Sequence, residues 1–67
     1  MLDAKIIGKR LRELRGNLSR KKVADIIGVS VSALSMYELG ERIPRDEVKV
    51  KIAELYGKSV GAIFFNY

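Results

Sequence analysis

Sixty-seven residues carry a net charge of +5 and contain neither cysteine nor histidine. A disulfide framework, a thiolate metal site and imidazole acid–base chemistry are therefore excluded, and no apolar run approaches the roughly 20 residues of a membrane span. A chain this short is expected to fold as one domain, 1–67, with no room for a separate ligand-sensing unit, in the cytoplasm, and its basic balance reads equally as a polyanionic partner, nucleic acid before acidic membrane, or as simple solubility.

The first element spans 4–15. Ile7, Leu11 and Leu14 fall on one apolar stripe, Lys5, Lys9, Arg10 and Arg12 occupy other faces, and Asp3 stands where an N-cap is needed. Gly16-Asn17 ends it, since both residues tolerate positive φ. Leu18 is expected to plug into the core before Ser19 caps the second helix, 20–27. That helix crowds Arg20, Lys21 and Lys22 into its first turn. Cations there oppose the helix dipole, so the run reads either as a solvated face or as a phosphate contact, where an anion would also meet free backbone N–H groups.

Val23, Ala24 and Ile27 form the apolar face of the second helix. Gly28 is placed to stop it in the left-handed conformation, Val29 follows, and Ser30 caps a third helix, 31–39, before Gly40. Leu34 and Tyr37 face the core, which leaves Val31, Ser32, Ser35 and Met36 outside. Two short helices closed by a glycine turn form a helix-turn-helix, whose second helix can enter a DNA major groove.

The loop 41–45 adds Arg42 and Arg45, and Pro44 keeps Ile43 extended. Residues 46–56 carry two patterns. Val48-Lys49-Val50-Lys51-Ile52 alternates as a strand would, but Val48, Ile52 and Tyr56 repeat at four, and Gly57 is a good helix stop. A lone strand would have no partner, so a fourth helix is expected. Ser59 then caps a last helix, 60–65. Ile63 or Phe64 should close the core. Further apolar area among Ile63, Phe64, Phe65 and Tyr67 reads either as the same closure or as a homodimer patch.

The pieces Ile7-Gly8-Lys9-Arg10-Leu11-Arg12-Glu13-Leu14-Arg15, Leu18-Ser19, Val23-Ala24-Asp25, Ile27-Gly28-Val29-Ser30, Leu34-Ser35, Tyr37-Glu38, Gly40, Pro44, Ile52-Ala53 and Gly57 resemble the XRE-type regulators, the phage-repressor and Cro-like helix-turn-helix family. From Ser19 to Gly40 the spacing follows the family pattern without a gap. The resemblance implies an all-α, compact five-helix, lambda-repressor-like domain, bacterial or phage-encoded and nucleoid-associated, that binds operator DNA as a homodimer. It also implies roles. Arg20 would touch phosphate and a base. Val31, Ser32 and Met36 would read bases. Ser19, Ser30, Ser35, Arg42 and Arg45 would contact phosphates, as the cations Lys21 and Lys22 would. Arg15 and Glu38 would form a structural ion pair between the first and third helices. The chain departs from the family twice: the link from Arg15 to Ser19 is short, and the third helix has no Lys, Arg, Asn or Gln, the side chains suited to bidentate base contacts.

The expected function is a sequence-specific double-stranded DNA-binding transcriptional regulator, a repressor on a palindromic site, with Val31 and Met36 against thymine methyls. The alternative is an antitoxin- or adaptor-like interaction module whose Val31, Ser32 and Met36 face binds a protein. Catalysis is not expected, since Asp25, Glu38, Asp46 and Glu47 have no histidine or cysteine company and no glycine loop cradles a phosphate. No cofactor, metal or membrane partner is expected.

Overall fold

The computed structural model describes residues 3–65. Four α-helices follow in order: α1 (Ala4–Arg15), α2 (Arg20–Ile27), α3 (Val31–Glu38) and α4 (Asp46–Tyr56). A single π-helical turn, Gly61–Phe65, completes them, and there is no strand among the described residues.

Each helix begins where a short polar side chain or an extended residue can serve its free N–H groups. The Asp3 carboxylate accepts the Lys5 and Ile6 N–H groups, and the Ser19, Ser30 and Ser59 hydroxyls accept those of Lys22, Ala33 and Ala62 at 3.0 Å each. A cap of this kind is worth about 1 kcal/mol. Helix α4 starts without one. Arg45 precedes it in extended conformation, and the acidic Asp46 and Glu47 in its first turn complement the dipole instead.

Helix α1 packs on α3 and on the C-terminal turn, while α2 packs on α3 and α4. The core between them is Ile7, Leu11, Val23, Ala24, Ile27, Leu34, Tyr37, Val48, Ile52, Ala53, Ile63 and Phe64. Each buried isoleucine, leucine or phenylalanine contributes about 2 kcal/mol relative to exposure. The radius of gyration of 10.4 Å agrees with the roughly 11 Å of a folded chain this long.

Helix α4 settles the choice between strand and helix at 48–52. Val48, Lys49, Ile52 and Ala53 share the buried face, a helical spacing, and Val50 faces solvent. Three expectations need correction. Leu18 is 40% exposed rather than in the core. Its N–H donates to the Arg15 carbonyl and its own carbonyl accepts from Arg15 Nη1, so the backbone of the short link is pinned and the side chain turns outward. Helix α3 stops at Glu38, one residue early, because Leu39 caps it and Gly40 takes a left-handed φ of 74°. Lastly, the apolar C-terminal residues divide: Ile63 and Phe64 are core, which removes them from any dimer patch, while Phe65 is 55% exposed. Tyr67 lies outside the described residues.

Candidate nucleic-acid interface

The turn between α2 and α3 orients the whole region. Gly28 adopts φ 76°, ψ 35°, and the Val29 N–H returns to the Ala24 carbonyl at 3.0 Å, closing the end of α2. Val29 packs against the core, and Ser30, extended, starts α3 at once. Leu34, Tyr37 and Glu38 are the buried residues of α3. Its opposite side presents Val31, 43% exposed, and Ser32, with Ser35 and Met36 half-buried.

Cations stand before and after α3 in the chain. Before it, Arg20, Lys21 and Lys22 open α2, all exposed. Lys21 pairs with Asp25 at 3.1 Å on the same helix, an exposed pair worth a few tenths of a kcal/mol that leaves the ammonium free to rotate away. After it come Arg42 and Arg45. Arg45 Nε stands 3.8 Å from Glu47, a loose exposed pair. Both arginines line a polar groove with Gly28, Val29, Tyr37 and Lys51. Lys51 Nζ lies 3.7 Å from the point where a Gly28 Cβ would sit, which sets this ammonium beside the turn itself. Lys51 escaped the reading of the sequence. Its place on the polar side of α4 was visible, but its proximity to Gly28 depends on how α4 crosses α2.

Ser19 and Ser30 each use one oxygen lone pair to accept a cap N–H, so each hydroxyl proton remains available to donate to an anion. Capping and phosphate contact are thus compatible at both serines.

Behind α3 lies a charged cluster. The Glu38 side chain is fully buried. Arg15 grips it through two bonds, Nε to Oε2 at 2.8 Å and Nη2 to Oε1 at 3.1 Å, and Arg20 Nε donates to Oε1 at 3.1 Å. One carboxylate so joins α1, α2 and α3. Its hydrogen bond and charge raise the Arg15 pKa above the ordinary guanidinium value, against the opposing effect of burial. Arg20, assigned to DNA on sequence grounds, is thus also part of this internal cluster. Among the described residues, no three His, Cys, Asp or Glu side chains converge to hold a metal ion, and no helix is long and apolar enough to cross a membrane.

A family model described as Helix-turn-helix matches residues 9–63. No curated protein and no solved structure matches the chain.

Proposed function

The chain belongs to the XRE-type helix-turn-helix family, a family of DNA-binding regulators, and from that premise we propose that it is a sequence-specific, double-stranded DNA-binding repressor. In this reading it acts in the cytoplasm, as a homodimer on a palindromic operator, through one domain spanning 1–67. The observation that supports the proposal is the exposed face of α3 with exposed cations before and after it in the chain: Arg20, Lys21 and Lys22 at the start of α2, and Arg42 and Arg45, which line a groove with Lys51.

Helix α3 lies in the major groove. Those cations, with Ser19, Ser30 and Ser35, hold the phosphates and set the register. Val31 and Met36 meet thymine methyl groups, Ser32 bonds to a base edge, and Arg20 reaches a base from the start of α2. Contacts through Val, Ser and Met discriminate modestly, so DNA shape contributes to selectivity. Two protomers place their α3 helices about 34 Å apart. Of the apolar residues first considered for the dimer contact, Phe65 is the described one left exposed.

Fluorescence anisotropy over a salt series, on duplexes selected from a random pool, tests this. Binding should weaken steeply with salt. Arg42→Ala with Arg45→Ala should lower affinity for all sequences alike and reduce the log–log salt slope by about 2 per protomer, about 4 for the dimer. Ser32→Ala or Val31→Ala should instead change which sequences are preferred. Absent or salt-independent binding to every duplex would sink the proposal. One observation favours a second reading, a protein-interaction module: the α3 face is apolar at Val31 and has no amide or cationic side chain. A stoichiometric protein partner that competes with DNA for this face would support it.

A further inference from the structure

We propose that Glu38 is a positioning residue for recognition: by holding Arg20 through its Nε it aims the terminal Nη1/Nη2 fork of Arg20 at the O6 and N7 of a guanine. The inference rests on the DNA-binding reading above and adds the base, the donor atoms and the residue that orients them.

A guanidinium has two usable edges. The side edge includes Nε, and the end edge is the Nη1/Nη2 pair. For Arg20 the side edge is committed to Glu38 Oε1 at 3.1 Å. The two terminal nitrogens donate no hydrogen bond to the described residues, and the side chain is 42% exposed. Arg20 is therefore anchored at its neck and open at its end. The anchor is firm because the Glu38 carboxylate is fully buried and doubly bonded by Arg15, so water does not compete for it. Two guanidiniums share one carboxylate, which leaves a net charge of +1 at the cluster.

An exposed arginine with free rotamers must give up that freedom on binding, whereas one fixed at Nε has given up most of it already. A fixed terminal fork matches the paired acceptors of guanine in the major groove, the commonest specific arginine contact. The same fork is absent from α3, which has no Lys, Arg, Asn or Gln. Among the arginines near α3, Arg20 is the one whose Nε is anchored on a buried carboxylate, which makes it the best prepared for a bidentate guanine contact.

The test starts from the best duplex selected by the wild-type chain, with each guanine replaced in turn by 7-deazaguanine, which lacks the N7 acceptor. One guanine in each half-site should lose about tenfold or more in affinity on replacement. Arg20→Lys keeps the charge and leaves the Arg15–Glu38 pair intact, but a lysine cannot hold Glu38 and present a fork at once. It should abolish the penalty at that guanine while leaving the salt slope unchanged. In the wild-type complex, the Arg20 Nε–H resonance should persist as a protected, hydrogen-bonded signal. The inference is overturned if Arg20→Lys keeps the wild-type guanine preference, if Arg20→Gln weakens all sequences equally as a phosphate contact would, or if the Nε–H signal is lost when DNA binds. Failure of the wild-type chain to bind any duplex would instead overturn the DNA-binding reading itself.

Discussion

At the residue scale the buried cluster around Glu38 governs more than its own pair. Its negative charge also reaches Tyr56, whose phenol is pushed above its ordinary pKa first by burial and then by Glu38, with Arg15 opposing. A phenol that ionises later in the folded state than in the unfolded chain binds more protons when folded at alkaline pH. Its contribution to stability is complete below the unfolded pKa of about 10 and is lost as pH rises through the higher folded value. Urea unfolding from pH 8 to 12 should show wild-type stability falling above about pH 10, and Tyr56→Phe should flatten that alkaline limb while leaving the curve below pH 9 little changed in slope. The Arg15–Glu38 contact was suggested by resemblance to the family. Nothing in the sequence alone says that Arg20 shares the same carboxylate, because the sharing depends on where α2 starts relative to the end of α3.

At the scale of elements the helices were legible because each carries its own punctuation. Asp3, Ser19, Ser30 and Ser59 mark the starts, and Gly28 and Gly57, both left-handed, mark stops. The wide turn at 61–65 was not legible as such. Apolar residues crowded together define no period, and the turn carries both Ile63 and Phe64 inward. Nor could the sequence show how near α1 comes to α3. At Gly8 an added Cβ would lie 2.5 Å from the Glu38 carbonyl oxygen and 2.8 Å from that of Tyr37, both backbone atoms. Gly8→Ala would gain up to about 1 kcal/mol in helix propensity. It would also force two packed helices apart, an overpacking cost of roughly 1–3 kcal/mol. The steric effect wins because backbone atoms cannot swing aside. Gly8→Ala should lower the unfolding free energy by about 1 kcal/mol in urea titrations followed by circular dichroism.

At the scale of the whole molecule, closure comes from the C-terminus. Phe64 is among the largest fully buried side chains, and Arg10 donates to the Ala62 and Ile63 carbonyls to seat the turn that carries it. Lys49, almost buried, lays its ammonium over the Phe64 and Phe65 rings at 5.8 and 5.2 Å while bonding Asp46 at 3.4 Å. Phe64→Ala should cost about 3–5 kcal/mol. A domain of this size has only several kcal/mol of total stability, so a thermal melt should show most of the cooperative transition gone at room temperature. Sequence patterning indicated that a residue here would close the core, and it left open how many of the apolar residues would be used.

Helix α3 separates two kinds of constraint. Its attachment to the rest of the molecule runs through Leu34, Tyr37 and Glu38, whereas Val31 and Ser32 are exposed and Ser35 and Met36 are only half-buried. Exchanges at 31 and 32, and polar or isosteric ones at 35 and 36, therefore disturb little of what keeps the chain folded. The surface can drift or be rewritten by selection, one position at a time, while the scaffold stays constant. A small protein with no stability to spare can in this way acquire new targets without first acquiring a new core.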